Sequence, residues 1–253
     1  MTLEEVRDIV GETPHMSFAQ AMCLAQFIRE HRVRQILELG FAHGVSTCYM
    51  ASALMQMEGG GGSIVTIDRP IARTRTPNID QLLERCRCGY LVTKYFEPTS
   101  YTWRLMRFLQ ETPRPQFDLC YVDGAHSWFV DGFAFFLVNL LLRKGGWLIF
   151  DDVDWSYANS PSLQAEDWVR DMPRDERTIP QVRLVYELLV KTHPEYDNFA
   201  MKDGWAYAQK VRQPQENMVR KEVVYHDVLS LRSVVGRVKD MVRARKRSMA
   251  RLP

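Results

Sequence analysis

From about residue 33 onward, short apolar runs alternate with longer segments whose apolar residues recur every three or four positions. The first pattern marks strands and the second amphipathic helices. Gln35 to Leu39, Ser63 to Ile67, Tyr90 to Lys94, Phe117 to Val122 and Trp147 to Phe150 read as strands. Helical spacing fills the intervals, through Met57, near Ile79 to Arg87, from Tyr101 to Leu109 and from Trp128 to Leu142. Paired glycines in Lys144-Gly145-Gly146 are placed to cap the last of these helices. Five strands alternating with helices predict an α/β fold, a doubly wound, Rossmann-like and mostly parallel sheet with helices on both faces.

The flanks add three pieces. Residues 17–31 carry helical spacing behind Ser17, a cap residue, and make 1–32 an N-terminal helical segment. After the fifth strand, residues 155–177 are polar and proline-bearing, an excursion from the alternation, and a helix from Gln181 to Thr192 follows. Asn198 to Met201 and Trp205 to Val211, around the turn Lys202-Asp203-Gly204, predict a closing antiparallel hairpin. The main domain is thus expected over 33–211, with 212–253 as a basic helical tail.

With 253 residues and 46% hydrophobic content, the chain can bury a large core without disulfides. Cys23, Cys48, Cys86, Cys88 and Cys120 are odd in number, lack C-x-x-C spacing and read as core thiols in a reducing compartment. MTLEEVRDIV has acidic residues where a secretion signal needs positive charge and an apolar run, so a cytoplasmic protein is expected. The net charge of +2 is a tail property: residues 216–253 hold ten Lys or Arg against four Asp or Glu, leaving 23 basic against 27 acidic residues in 1–215. A net acidic domain argues against a nucleic-acid partner. The tail offers a weak contact to an anionic membrane or an acidic partner, or is simply a solvated helix. Apolar positions at 1–31 and at Val223, Val224, Val228, Leu231, Val234 and Val235 fit either a homodimer contact or a cover for the sheet.

In an open α/β sheet, ligands bind beyond the carboxyl ends of the strands, which directs attention to the turn after Leu39. That turn, Gly40-Phe41-Ala42-His43-Gly44, is G-x-x-x-G, looser than the G-x-G-x-x-G that holds a pyrophosphate. With Glu38 before it, it suits a ligand with a charged amino-acid tail. Asp68 ends the second strand, where a carboxylate can accept both hydroxyls of a ribose. His43 reads as a loop residue without a chemical role. ILELGFAHGVST followed by SIVTID resembles the first two motifs of class I S-adenosylmethionine-dependent methyltransferases. The resemblance implies S-adenosylmethionine as cofactor, its methionine part held by Glu38, Gly40, Gly44 and Ser46 and its ribose by Asp68. It also implies adenine contacts at Tyr95 and Phe96, just past the third strand; core packing is the other reading of that pair.

Asp123 follows the fourth strand and Asp151-Asp152 the fifth, so three carboxylates are expected at one edge. They would repel one another unless a cation or protons intervene. A hard divalent ion such as Mg²⁺ resolves the repulsion, and can orient an acceptor hydroxyl and lower its pKa. VDGAHSW and GGWLIFDD resemble the family of macrocin-type and other sugar O-methyltransferases; catechol-type enzymes usually carry Asp-Asn at the doublet. The resemblance spans about residues 33–210 and implies methyl transfer to a hydroxyl of a saccharide or other small-molecule acceptor. A phenol acceptor, or a non-catalytic nucleotide-binding scaffold, are the alternatives. Two residues compete as general base, His126, with an unperturbed pKa suited to neutral pH, and Asp154. Trp155 and Tyr157 offer a flat face to an acceptor, and 155–177 is the expected acceptor lid.

Overall fold

The computed structural model describes residues 1–213. By internal contacts the chain divides into Met1–Pro214 and Gln215–Pro253. The expectations for the basic tail, its contacts and its part in a dimer lie outside the described residues.

The elements run α1 (Leu3–Val10), α2 (Phe18–Glu30), β1 (Gln35–Leu39), α3 (Val45–Met55), β2 (Ser63–Asp68), α4 (Ile79–Arg85), β3 (Val92–Phe96), α5 (Tyr101–Gln110), β4 (Phe117–Val122) and α6 (Trp128–Asn139). They continue with β5 (Leu142–Phe150), the short helices α7 (Asp167–Arg170), α8 (Arg174–Thr178) and α9 (Gln181–Val185), then β6 (Tyr196–Lys202) and β7 (Trp205–Lys210). Seven strands form one sheet in the order β3-β2-β1-β4-β5-β7-β6. β1 to β5 pair in parallel, and β7 enters antiparallel between β5 and β6. The chain leaves β1 towards β2 on one side and returns to β4 on the other, so strand order reverses at β1. A crevice opens there, beyond the carboxyl ends of β1 and β4.

Alternation along the strands divides the core. Ile36, Leu119, Tyr121 and Ile149 join one cluster with α1 to α4, while Leu37, Leu39, Cys120, Val122, Leu148 and Phe150 join the other with α5, α6 and α9. Glu38, between Leu37 and Leu39, therefore points to the α3 side. Every residue of α3 from Val45 to Leu54 is buried, because α1 and α2 pack over it as a further layer. Ser17 caps α2 through the amide of Gln20, which returns a bond from its own side chain.

Four local expectations are corrected. Gly145 and Gly146 lie inside β5 and do not cap α6; Gly145, at φ +86, marks the irregular register between β4 and β5. α6 stops earlier, at Asn139, because Lys210 of β7 reaches in and donates to the carbonyls of Asn139 (2.5 Å) and Leu142 (3.0 Å), replacing a glycine cap. The third strand starts two residues later than its apolar run, since Gly89–Leu91 is a 3₁₀ turn that leaves Tyr90 exposed. The helix from Gln181 loosens into a π-helical turn at Tyr186–Val190, where the Tyr186 hydroxyl bonds to the carbonyls of Ala200 and Tyr207. Finally, Cys23 is exposed on α2, whereas the other four thiols are buried; all five are free. Among the described residues, no helix is long and apolar enough to cross a membrane.

Candidate active site

A cavity of about 840 Å³ opens at the carboxyl edge of the sheet, in the crevice between β1 and β4. Its floor is the turn after β1. Gly40 has φ +88, and a Cβ there would lie 2.1 Å from the Asp123 carbonyl oxygen and 2.6 Å from the Gly124 Cα. Only glycine lets the ends of β1 and β4 come this close. Gly44, at φ +93, starts α3 and sits against Ile79, which a Cβ would meet at 2.6 Å. The backbone of α3's first turn, at Val45 and Ser46, consequently borders the cavity. His43 is structural: its Nδ1 lies 2.6 Å from the Pro77 carbonyl oxygen.

Glu38 supports this turn from below and does not line the cavity. Fully buried, it accepts hydrogen bonds from Ser46 Oγ (2.5 Å), Thr47 Oγ1 (2.5 Å) and Thr66 Oγ1 (2.6 Å). The expected ligand contact is corrected to an internal brace, because strand alternation turns the side chain under α3. Burial pushes its pKa up to about 7, against the pull of the three hydroxyl donors. The folded protein thus binds this proton more tightly than the unfolded chain. Glu38 contributes its stabilisation fully below about pH 4.5 and loses it as pH rises towards 7. Glu38→Gln, which cannot ionise, is expected to flatten this fall by roughly 2–3 kcal/mol between pH 4.5 and 8, read as the difference between the two proteins' urea-unfolding profiles.

Asp68 borders the cavity, but much of its carboxylate is engaged. Oδ2 accepts from the amides of Phe41 (2.9 Å) and Ala42 (2.7 Å), and Oδ1 from that of Arg69 (2.6 Å). Three of the roughly four acceptor sites of a carboxylate are used to hold the glycine turn, leaving about one for a ligand instead of the expected pair. Tyr95 and Phe96 are corrected more fully. Tyr95 packs on Phe108 with Arg104 over its ring, and Phe96 packs on Phe41 with Arg73 over its ring. Neither lines the cavity; the wall beyond β3 is Thr99, Ser100 and Tyr101. Ser100 caps α5, its side chain accepting from the Thr102 amide. Tyr101 donates to the buried Asp131, which also accepts from the Ser127 amide, and its ring occupies the space a Cβ on Gly124 would need.

At the opposite end, the side chains of Asp123, His126 and Asp152 each present one ligand atom, all within 4.8 Å of one another. His126 Nε2 stands 3.9 Å from Asp123 Oδ1 and 3.7 Å from Asp152 Oδ2. Donors of one ion at 2.0–2.6 Å lie at most about 4–5 Å apart, so this set fits a divalent cation. It differs from the three carboxylates expected. Asp151 lines the cavity, yet its carboxylate accepts from the Tyr121 hydroxyl and the Asp152 amide (2.7 Å). Alternation along β5 points it, like Ile149, to the side of Tyr121, and His126 stands where a third carboxylate was expected.

Burial and the neighbouring Asp151 and Asp152 hold the Asp123 carboxyl well above the usual carboxylate range; burial also raises Asp151 and Asp152. Burial lowers His126, so its imidazole is neutral and available as a ligand near neutral pH. Its ring packs on Trp155 at 5.0 Å. Asp154 is corrected outright: exposed and paired with Arg183, it lies away from the cavity. From the 155–177 segment, Tyr157, Leu163 and Trp168 complete the wall beside Phe129 of α6, and Trp155 stands behind His126.

Comparison with known proteins agrees with this architecture. Residues 37–153 match a family model described as a methyltransferase domain. An O-methyltransferase from Bacillus cereus, solved in complex with SAH, superposes with a TM-score of 0.59 at 22% identity, covering 82% of this chain and 90% of that one. The O-methyltransferase TomG from Streptomyces achromogenes, involved in tomaymycin synthesis and solved with SAM, gives 0.58 at 19% identity, covering 83% and 89%. A putative caffeoyl-CoA O-methyltransferase from Staphylococcus aureus gives 0.57 at 24%, covering 83% and 92%. No curated protein matches the sequence. The fold is the Rossmann-like fold of methyltransferases.

Proposed function

We propose that this protein is an S-adenosylmethionine-dependent O-methyltransferase that uses a divalent cation and acts on a hydroxyl of a sugar or glycosylated metabolite. The observation that carries the reading is one continuous cavity joining the glycine turn and Asp68 to the cluster of Asp123, His126 and Asp152. At about 840 Å³ it lies in the upper part of the ~300–1,000 Å³ range of small-molecule sites, with room for a cofactor and an acceptor side by side. The matched methyltransferase domain and the SAH and SAM complexes of the structural neighbours support the cofactor.

In this reading Gly40, Gly44 and Ser46 hold the methionine part, Asp68 takes a ribose hydroxyl, and Thr99, Ser100 and Tyr101 border the base. Asp123, His126 and Asp152 would hold the cation, which when bound supplies charge to orient an acceptor hydroxyl and favour its deprotonation. His126 then serves as a ligand and not as the general base. Asp152, half exposed on the cavity side, faces the acceptor. Tyr157, Leu163, Trp168 and Phe129 exclude water around the transferring methyl group, whose electrophile is already activated and mainly needs alignment. The Asp151-Asp152 doublet favours sugars; the aromatic wall and the caffeoyl-CoA-type neighbour favour a phenol as the second reading. Four buried free thiols fit a cytoplasmic enzyme.

Methyl-labelled cofactor offered with a panel of sugars, glycosides and diphenols is expected to label a sugar hydroxyl. Labelling of diphenols alone would move the acceptor class to phenols, and cofactor binding without any transfer would favour a scaffold. Dialysis against a chelator is expected to abolish transfer. Because an imidazole suits transition ions better than Mg²⁺, Mn²⁺ is expected to restore at least as much activity as Mg²⁺. Full activity in the metal-free protein would remove the cation from the mechanism.

A further inference from the structure

The cavity is lined by charges of both signs. Besides Asp68, Asp123, Asp151 and Asp152 it is lined by Arg69 and Arg75, with His15 and Gln20 from the N-terminal segment. His15 is held in a left-handed conformation, φ +89, between α1 and α2. Its ring stacks on His43 of the glycine turn, with centroids 5.6 Å apart and planes 28° apart. Arg75 Nη1 lies 3.5 Å from His15 Nε2. Burial and the Arg75 charge lower the His15 pKa, so its neutral ring faces the guanidinium without repelling it. The Arg75 Nε is buried and has no hydrogen-bond partner among the described residues. A guanidinium with an unmet donor, set beside a ligand cavity, has the planar fork that a carboxylate matches with two parallel bonds.

We propose that Arg75, propped over the glycine turn by His15, binds the carboxylate of the cofactor's amino-acid tail. The assignment rests on the methyltransferase reading, which puts that tail on the turn His15 stacks against. It also gives a zwitterionic tail partners of both signs within one cavity.

Calorimetry with S-adenosylhomocysteine and with 5′-methylthioadenosine, which has the nucleoside thioether but no carboxylate, separates the possibilities. Arg75→Gln is expected to weaken S-adenosylhomocysteine about tenfold or more and to leave methylthioadenosine unchanged, since a charge-assisted fork is lost only for the first ligand. Arg75→Lys, which keeps charge without the fork, is expected to fall between and serves as the deciding variant if the glutamine protein does not fold. Unchanged S-adenosylhomocysteine affinity in either folded variant overturns the proposal and leaves an anionic acceptor as the partner to seek. Equal weakening of both ligands overturns it too, by placing Arg75 at the nucleoside or in the fold. A wild-type protein that binds neither ligand removes the methyltransferase reading, and this assignment with it.

Discussion

Alanine at Asp152 is expected to lower methyl transfer by at least about 10²–10³-fold while leaving S-adenosylhomocysteine affinity within about twofold. Asp152 supplies one of the three convergent ligand atoms, and no Asp152 side-chain bond to the glycine turn or to Asp68 is present. Its side chain is 50% exposed, so little packing is lost with it. The residue sits at φ +54, where alanine costs about 1 kcal/mol or a little more, and a small drop in melting temperature should accompany the change. Asparagine tolerates that conformation and keeps one carbonyl oxygen. Asp152→Asn should therefore retain a substantial part of the activity and need a higher cation concentration to reach it. Full turnover in the alanine protein would remove this cluster from the chemistry; loss of cofactor binding would mean that the two ends of the cavity are not separate in function.

The largest expected effect on stability is at Gly40. A methyl group there meets the carbonyl of Asp123 at 2.1 Å and the Cα of Gly124 at 2.6 Å, both backbone atoms that no side-chain rotation can move. To make room, the end of β4 would have to leave β1, breaking the 2.8 Å bond from the Asp123 amide to the Leu39 carbonyl. The left-handed φ adds its own cost. Gly40→Ala is expected to lose about 4 kcal/mol or more, a large fraction of the ~5–15 kcal/mol typical of a domain. It should also lose cofactor binding, since the glycine turn that Gly40 opens, and that borders the cavity, would shift with the strand ends. Gly145→Ala is the control: also at positive φ, but with open space around its Cβ, it should cost only about 1–2 kcal/mol. Urea unfolding of the two variants measures the difference, and equal midpoints would mean that close strand approach at Gly40 carries no special weight.

How much of the site the sequence displayed depended on the range of the interactions involved. The glycine turn, Asp68 and the strand-end acids were visible because each rests on local geometry: a strand end, a left-handed backbone, a chain reversal. The direction in which each side chain points was less visible. Glu38 and Asp151 are strand-end residues whose alternation buries them against hydroxyl partners from α3, β2 and β4, and of those partners Thr66 and Tyr121 are distant in sequence. His126 joins the acids through a left-handed backbone that no neighbouring residue type demands. The contribution of His15 and Gln20 to the cavity was hidden for the same reason, since an N-terminal helix signals its own apolar face but not what it covers.

The sequence by itself determined the alternation of strands and helices, the place of the crevice, and the acids and glycines at its rim, because period-two and period-3.6 patterning and positive-φ turns are written in adjacent residues. Only the tertiary structure decided which acid is a brace and which faces the cavity. It placed the convergent ligand atoms on Asp123, His126 and Asp152, and brought Arg75 beside His15, which stacks on His43 of the glycine turn. Those outcomes depend on strand order, the layering of α1 and α2 on α3, and hydrogen bonds between residues tens of positions apart. Which atoms meet is set by how the layers pack, and that packing is a property of the whole folded unit.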